Sequence, residues 1–336
     1  MTAAVDCPSC ADERGAGAAF CEACGRPLTE EAAAAAATPA GPLCPSCGAT
    51  DSIGADGYCG NCGMLAFRPR DHIETEAGPA GAVTDRGLRH HRNEDAMFLA
   101  VRADDDIDVV VCDGVSSSFD PDVASQTAAD TAGELLAVLK AGDELPERIG
   151  EAVVAAGAAV ADLAGNGDPR RAASNPACTI VAACVRGAEV GYAWVGDSRG
   201  YWLPAEGEPV ALTEDDSWAT HAIAMGADPQ SAWNDPKAHA ITAWLGADAG
   251  TVAPRVGEFT AGTAGHLVLC SDGLWNYLTD PADFAATVHT HLREQGSPLA
   301  AARSLVAFAN AEGGADNITV ALVPVTPAVP AAPAAS

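Results

Sequence analysis

The sequence predicts an α+β fold in which a β-sandwich is flanked by pairs of helices. Short apolar and β-branched runs, which indicate strands, recur between about residues 80 and 325. Two amphipathic segments that indicate helices follow the early strands, and two more lie near the end. Two sheets covered by two helix pairs bury the apolar face of every element, and a composition that is 48% hydrophobic supplies such a core.

Strand and helix candidates can be placed in order along the chain. The strand candidates are centred near Met97, Val110, Ile180, Tyr192, Tyr201, Val268 and Val320. Each helix candidate begins at or near a proline, a residue that is tolerated in the first turn of a helix. The four helix candidates are 121–141, 146–165, 281–295 and 298–310. We therefore expect one large domain over residues 81–325, followed by a disordered Pro/Ala-rich tail at 326–336.

The first 66 residues carry a different signature, because they contain eight of the twelve cysteines. These cysteines form four Cys-x-x-Cys pairs: Cys7/Cys10, Cys21/Cys24, Cys44/Cys47 and Cys59/Cys62. Two such pairs supply the four tetrahedral thiolate ligands that Zn²⁺ prefers. We therefore expect a double zinc ribbon at 7–24 and 44–62, with two structural zinc ions whose binding is coupled to folding. A disulfide framework is the alternative, but the identical spacings and an expected cytoplasmic location favour metal.

Two connecting segments are expected around the second ribbon. Thr29, two acids and the alanines at 32–37 favour a short helical spacer that ends at Pro39, and a flexible linker fits the same composition. Residues 67–80 mix charges with prolines and are predicted to be a linker. The expected organisation is therefore the ribbons with their spacer at 1–66, the linker, and then the large domain.

The formal net charge of −28 argues against several classes of partner. Nucleic acid is disfavoured because phosphate backbones are bound mainly by Lys and Arg, which number only 18 here. No basic run indicates an anionic membrane surface, and no apolar stretch is long enough to span a bilayer. Residues 1–7 lack the basic and apolar regions of a signal peptide. We therefore expect a cytoplasmic protein.

Three aspartates at strand ends mark the candidate functional site. Asp113 and Asp272 each follow an apolar run, and Asp316 precedes one. A carboxylate beside the hydrophobic interior is unfavourable without a partner, so three of them suggest one shared acidic site that binds cations. Carboxylate oxygens suit Mg²⁺ and Mn²⁺, and an aspartate bridging two such ions would hold them about 3.5–4 Å apart with a nucleophilic water. Any single Asp-Gly pair is more simply a turn, and only the combination favours a site.

A cluster of cations and acids precedes the run that ends at Asp113. Residues 89–95 are Arg-His-His-Arg-Asn-Glu-Asp. The acids of this cluster can orient metal-bound water, and an arginine can grip a phosphate dianion through two parallel hydrogen bonds. The cluster therefore adds phosphate chemistry to the metal hypothesis.

Residues 87–95, Gly-Leu-Arg-His-His-Arg-Asn-Glu-Asp, resemble the opening motif of the metal-dependent protein Ser/Thr phosphatases, the PPM or type-2C family. Further segments match the motifs of this family in order and spacing: 111–114, 195–199, 212–215, 270–275 and 316–320. Together the matches cover nearly all of residues 80–325. The resemblance implies an αββα sandwich, in which two antiparallel sheets are flanked by helix pairs and a two-metal centre lies in the cleft between the sheets.

The resemblance also implies a set of metal ligands. Asp113 would bridge both ions, and Gly114 would supply a carbonyl to one of them. Asp272 and Asp316 would complete the coordination of the other ion. The implied cofactors are two Mn²⁺ or Mg²⁺ ions, and Asp197 lies where the family can hold a third, weaker ion.

The implied reaction is in-line attack by metal-activated water on phosphoserine or phosphothreonine, without a phosphoenzyme. Glu94 and Asp95 would act through coordinated water and would join Asp113, Asp272 and Asp316 as the catalytic set. The implied partners are phosphorylated proteins, namely a Ser/Thr kinase that the enzyme opposes or the substrates of that kinase. The zinc ribbons would serve as a protein-docking module.

The sequence departs from the family pattern at three places. His90 stands where the family has its phosphate-gripping arginine, and Arg89 and Arg92 flank it, so all three are phosphate-binding candidates. Serines at 116–118 replace the glycines that usually follow the first Asp-Gly. Asn276 stands where many members carry an aspartate associated with the third ion.

Three functions are consistent with these features. The leading hypothesis is an active metal-dependent phosphatase. The second is a weak or inactive regulator that binds phosphoproteins and docks through its zinc ribbons, for which His90 is the only support. The third is nucleic-acid binding by the ribbons, which their few basic residues disfavour.

Overall fold

The computed structural model describes residues 68–103, 106–139, 144–165 and 168–327, together with 15, 21, 28–29, 44, 47–54 and 57–63. The chain divides into two compact units, Met1–Arg68 and Pro69–Ser336, and each is described here by itself. Three of the eight ribbon cysteines, Cys7, Cys10 and Cys24, lie outside the described residues, as do the predicted spacer at 32–37 and most of the predicted tail.

The larger unit contains two extensive antiparallel sheets. Its strands are β1 His72–Ala77, β2 Ala80–Asp85, β3 Ala96–Ala103, β4 Asp106–Cys112, β5 Ala177–Cys178, β6 Ile180–Arg186, β7 Glu189–Val195, β8 Arg199–Pro204, β9 Val210–Ala211, β10 Leu245–Gly246, β11 Arg255–Thr260, β12 Gly265–Cys270 and β13 Ile318–Val325. One sheet has the order β1-β2-β13-β12-β8-β9 and the other β11-β7-β6-β4-β3, while β5 and β10 form a separate pair. Every strand predicted from the sequence is present.

The helices of the larger unit begin mostly at prolines. They are α1 Pro121–Leu136, α2 Leu145–Asp162, α3 Pro169–Ala173, α4 Trp218–Ala224, α5 Pro229–Trp233, α6 Asp272–Trp275, α7 Pro281–Gln295 and α8 Pro298–Ala311. The bounds of α7 equal the predicted ones, and Asp280 caps this helix by accepting hydrogen bonds from two backbone N–H groups of its first turn. All four predicted long helices are confirmed.

Strand β4 shows how the layers are built. Val109 and Val111 pack in the cluster between the two sheets, with Leu267 and Val323 from the opposite sheet. The alternate residues of β4, which include Val110, pack against α1 and α2. Because successive side chains of a strand point to opposite faces, a strand that is covered on both sides is mainly apolar, and the buried exception in β4, Asp108, is paired with Arg186 at 2.6 Å. This explains the continuous apolar run from which the strand was predicted.

A second helix-facing core completes the arrangement. Helices α7 and α8 cover the six-stranded sheet with a buried cluster that includes Phe284, Leu305 and Trp275. The order of layers is therefore helices, sheet, sheet, helices. The predicted α+β fold with two antiparallel sheets and flanking helix pairs is confirmed.

The segment predicted as a linker at 67–80 differs from that expectation. Residues Pro69–Asp71 form a turn of 3₁₀-helix, and β1 pairs with β2 along its whole length. β1 lies at the edge of its sheet and carries charged, half-exposed side chains, of which Glu74 binds Arg303. A polar edge strand has the composition of a linker, which is why the sequence misled here. The other predicted domain boundaries remain predictions.

Among the described residues, no helix is both long and apolar enough to cross a bilayer.

Candidate active site

The topology brings four of the predicted acids to one end of the sandwich. In the five-stranded sheet, Val111 of β4 pairs with Val181, and Ile180 pairs with Val195 at the end of β7. Asp113 and Asp197, which follow β4 and β7, therefore lie at the same end of that sheet. In the other sheet Cys270 pairs with Val320, which places Asp272 and Asp316 together in the same way.

The electrostatics show that these acids form a single cluster with Asp95. Burial raises the pKa of Asp113 well above its usual range, and repulsion from Asp95, Asp272, Asp316 and Asp197 raises it further. Burial is also the main cause that raises the pKa of Asp95 to about 8, of Asp197 to about 8 and of Asp272 to about 6. Neighbouring acids add to each of these shifts. Carboxylates so arranged need cations if they are to be ionised together at neutral pH.

Two oxygen atoms of the cluster lack the partners that buried polar atoms normally have. Asp95 is only 2% exposed, and its Oδ2 accepts hydrogen bonds from Ser271 Oγ at 2.8 Å and Thr319 Oγ1 at 2.7 Å. Within the described residues, its Oδ1 has no hydrogen-bond partner, and neither has Oδ1 of Asp272. Unpaired buried oxygens beside ionisable neighbours are suited to a hard divalent cation. The residues present therefore fit Mn²⁺ or Mg²⁺.

Gly114 allows the chain to close around the cluster. A Cβ atom at this position would lie 2.6 Å from the carbonyl oxygen of Glu94 and 2.6 Å from that of Pro121. No larger residue fits without moving backbone, so Gly114 lets the end of β4 approach both the loop that carries Glu94 and the first turn of α1.

The loop that carries the opening motif is fixed by Asn317. The Oδ1 of this residue accepts a hydrogen bond from the Glu94 N–H at 2.7 Å. Its Nδ2 donates to the carbonyls of Arg86 at 2.7 Å and Arg92 at 3.0 Å. In the sequence, Asn317 was matched only as part of a motif and had no predicted role. Its signal was its position directly after Asp316.

Arg70 is a second residue that holds the loop of the acidic site in place, and it lies in the segment that was predicted to be a linker. Its guanidinium donates to the carbonyl of Asp122 at 2.6 Å, to the carbonyl of Asn93 at 3.2 Å and to Gln126 Oε1 at 3.1 Å. It therefore ties the backbone just before Glu94 to the first turns of α1. Nothing in the local sequence marked it, because its partners lie far away along the chain.

The phosphate-binding candidates occupy different positions around the cluster. His90 Nε2 lies 3.1 Å from Asp316 Oδ1, and His90 Nδ1 lies 3.8 Å from Glu94 Oε2. Arg92 lies 3.2 Å from the carboxylate of Glu94 and 3.0 Å from that of Asp122. His90 and Arg92 are thus in contact with the acids. Arg89 is exposed and extends towards the loop that contains Gly313.

The region around Asp197 is held by an aromatic residue. The Trp275 indole N–H donates to the Asp197 carbonyl at 3.0 Å, and the Arg199 guanidinium lies 3.5 Å from the centroid of a Trp275 ring. Asn276, which replaces the expected aspartate, donates from Nδ2 to Asp272 Oδ2 at 3.1 Å. Asn276 thus acts on a candidate ligand without adding a charge of its own.

The smaller unit contains a second candidate metal centre. The Sγ atoms of Cys44, Cys47, Cys59 and Cys62 all lie within 4.8 Å of one another. A hydrogen bond with Ser52 is the main cause that lowers the pKa of Cys59 to about 6, which favours the thiolate form. These four cysteines are the ones that were predicted to form the second zinc ribbon. Of the first ribbon's cysteines, Cys21 alone is among the described residues.

Comparisons with known proteins agree with the geometry of the acidic site. A family model described as "Protein phosphatase 2C" matches residues 87–308. The serine/threonine phosphatase stp of Listeria innocua is 31% identical over 251 residues, which cover 71% of this chain and 93% of that protein.

Solved structures extend this similarity to the fold. The serine/threonine phosphatase of S. agalactiae is 27% identical with a TM-score of 0.63, over 74% of this chain and 98% of that one. The catalytic domain of the phosphatase PstP, solved in complex with two manganese ions, is 26% identical with a TM-score of 0.57, over 73% of this chain and 97% of that one. The chain belongs to the protein phosphatase 2C family and is a metal-dependent serine/threonine protein phosphatase.

Proposed function

We propose that this chain removes phosphate from phosphoserine and phosphothreonine in proteins, with two Mn²⁺ or Mg²⁺ ions held by Asp113, Asp272 and Asp316. The observation that carries the proposal is the cluster of buried carboxylates with unpaired oxygens between the two sheets. When bound, two such ions neutralise the phosphate dianion and lower the pKa of water so that it can attack phosphorus. The PstP catalytic domain, which the chain resembles, was solved with two manganese ions.

The residues of the chain supply position and charge for this reaction. Asp113, which is close enough to the other four acids to interact with each of them, would be the ligand shared by both ions, and the carbonyl of Gly114 would bind one of them. Glu94 and Asp95 face the cluster from a loop fixed by Asn317, and they orient water by accepting its hydrogen bonds. Because these groups hold the water and the phosphate in a reactive arrangement, they lower the barrier to the reaction in addition to binding the substrate.

His90 and Arg92 are the proposed phosphate-binding groups. Both side chains reach the edge of the acidic cluster, and each is held by carboxylates of the site. The imidazole ring of His90 offers fewer parallel hydrogen bonds than the arginine of the family pattern, so the grip on phosphate is weaker. Arg92 supplies the planar, bidentate donor that His90 lacks.

The test is hydrolysis of a phosphothreonine peptide by the full chain with Mn²⁺. Asp113→Asn should lower kcat by at least about 100-fold, because the bridging carboxylate is lost. Asp106→Asn is the matched control, since Asp106 lies at the other end of β4, and it should retain activity. A folded, manganese-binding chain that only binds the peptide without turnover would contradict the proposal and favour the phosphoprotein-binding alternative.

We further propose that Cys44, Cys47, Cys59 and Cys62 hold a structural Zn²⁺ ion and that the first four ribbon cysteines hold another. Four thiols within 4.8 Å of one another support the second site, while the first rests on its Cys-x-x-Cys spacing alone. Zinc-bound thiolates are typical of a reducing cytoplasm, which is the location we propose. The ribbons would dock the phosphatase to a kinase or to its substrates.

Elemental analysis tests the zinc proposal directly. The purified chain should contain two zinc ions, and Cys44→Ser should reduce the content to one. Thr50→Ala changes an exposed residue of the same unit, leaves all four thiols and Ser52 in place and should keep both ions. Two zinc ions in the Cys44→Ser variant, or none in the unmodified chain, would contradict the proposal.

A further inference from the structure

An acidic groove lies at the end of the five-stranded sheet that is remote from the metal centre. Thr260 of β11 pairs with Glu189 at the start of β7, whereas Asp197 follows the other end of β7. A strand of this length spans about 20 Å. The groove has a volume of about 900 Å³ and runs between the start of α2 and the outer half of β11.

The rim of the groove carries one sign of charge. Glu144, Glu147, Glu189 and Glu258 are exposed and line it. Within the described part of the chain these four carboxylates form no ion pair, and none of the described lining residues is basic. Clustered like charges are mutually repulsive, so a cationic occupant would be attracted strongly.

Apolar residues line part of the groove and continue along α2. Leu145, Pro146, Val190, Val256 and Phe259 belong to this lining, and an adjoining cavity of about 460 Å³, which shares Pro146 and Val256, adds Val154 and Pro254. Val154 is 46% exposed and Val256 is 47% exposed, which is unusual for aliphatic residues that line the same cavity. An occupant must therefore bring aliphatic side chains as well as positive charge.

Strand β11 also offers backbone groups. It is the edge strand of its sheet, and in the portion of the chain described by the structure its outer side pairs with no strand. Edge strands present N–H and C=O groups that an extended segment of another protein can use. Along β11 the exposed residues are Val256, Glu258 and Thr260, which are apolar, acidic and polar in turn and, as every second residue, lie on one face of the strand.

We propose that this groove docks an extended segment of a partner protein that carries Lys or Arg and aliphatic residues together on one face, at every second position. The segment adds to the edge of β11, its cations face the four glutamates, and its aliphatic side chains cover Val154 and Val256. Because the groove lies away from Asp113 and Asp197, a docked partner leaves the metal centre open. The proposal concerns binding alone and does not depend on the proposed function.

The composition of the chain disfavours a second copy as the occupant. It has 46 acidic residues against 18 basic ones, so two acidic grooves would repel the partner chain rather than attract it. A separate protein with a basic segment is therefore the occupant that the charges select.

The experiment uses fluorescence anisotropy to measure binding of a fluorescein-labelled peptide to the full chain. In this peptide Lys and Val take turns at the odd positions and Ser fills the even ones, so that both lie on one face of the strand. Glu147→Lys combined with Glu258→Lys should raise Kd at least about tenfold. The matched control is Glu206→Lys combined with Glu208→Lys, which makes the same change of charge at exposed positions of the β8–β9 connection and should change Kd less than twofold. Thermal unfolding confirms that both variants are folded.

A neutral variant separates docking from general attraction. Val256→Ser keeps every charge and should still weaken binding of the peptide several-fold, and the same peptide with Glu in place of every Lys should not bind. Equal losses in the two double variants, no effect of Val256→Ser, or no binding by the unmodified chain would overturn the proposal. The proposal would also be overturned if the chain self-associates and the Glu147→Lys and Glu258→Lys pair abolishes this association, because the occupant would then be a second copy.

Discussion

Single side chains that bind residues far away in the sequence decide where the acids lie. Asn317 makes three hydrogen bonds to the loop between Arg86 and Glu94, and none of them involves a carboxylate. The acids themselves could be predicted from the sequence because charged residues at the ends of apolar strands are conspicuous. The residues that hold the acids in place are ordinary polar side chains, and their hydrogen-bond partners come close to them only when the chain folds.

Asn317→Ala should weaken catalysis without removing any metal ligand. The substitution leaves the Glu94 N–H unpaired in a buried position, which costs about 1–3 kcal/mol. We expect kcat for a phosphopeptide to fall at least about tenfold and the manganese concentration for half-maximal activity to rise. Asn317→Asp retains an acceptor for the Glu94 N–H and should recover part of the loss. Unchanged manganese dependence in Asn317→Ala would contradict this role.

Titration of the acids should be visible in the metal-free protein. Burial raises the pKa of Asp95 to about 8 and of Asp272 to about 6, whereas both are near 4 in the unfolded chain. Between these values the folded state binds more protons than the unfolded state, so the free energy of unfolding must fall as the pH rises. In chelator, Tm should therefore decrease between pH 5 and pH 8.5.

Asp95→Asn isolates the contribution of one carboxyl group to that decrease. The fall in Tm between the two pH values should be smaller in this variant by about 5 °C. Added Mn²⁺ should remove most of the fall in the unmodified chain, because a cation compensates the charges that burial disfavours. An equal fall in both proteins would show that Asp95 ionises as freely as in water.

At the scale of elements, the long helices and the central strands were predictable, while the short and peripheral elements were not. Prolines in the first turn and a continuous apolar pattern identified α7 and β4. Strand β1 was taken for a linker because an edge strand needs only one covered face and tolerates charges. The two-residue strands β5 and β10 have too few residues for any pattern to be recognised.

Arg70 links a turn before β1 to two other elements, and its removal should affect activity more than stability. Arg70→Met should lower kcat for a phosphopeptide about tenfold, because the backbone before Glu94 and the start of α1 lose their shared donor. Arg70→Lys keeps the charge but loses the planar set of guanidinium donors, so its activity should lie between those of Arg70→Met and the unmodified chain. Arg303→Met, which removes an exposed arginine paired with Glu74, is the control and should stay fully active.

At the scale of the whole molecule, the site is a property of two sheets rather than of any one segment. Each sheet contributes its strand-end acids, and the facing apolar residues between the sheets hold the two edges in register. The predicted fold class followed from local patterns, but the distances between the acids did not. The sequence could indicate that these residues share a site, and only the packing shows which of their oxygens remain unpaired.

The place of β13 in the six-stranded sheet has a consequence for how the enzyme matures. This strand lies between β2 and β12, although it is the last of the described strands in the sequence. During synthesis, β2 and β12 emerge from the ribosome before the strand that joins them, and such long-range pairing is slow to form. Asp316 and Asn317 arrive with that strand. A nascent or truncated chain therefore has no finished catalytic centre, so dephosphorylation begins only once the domain is whole.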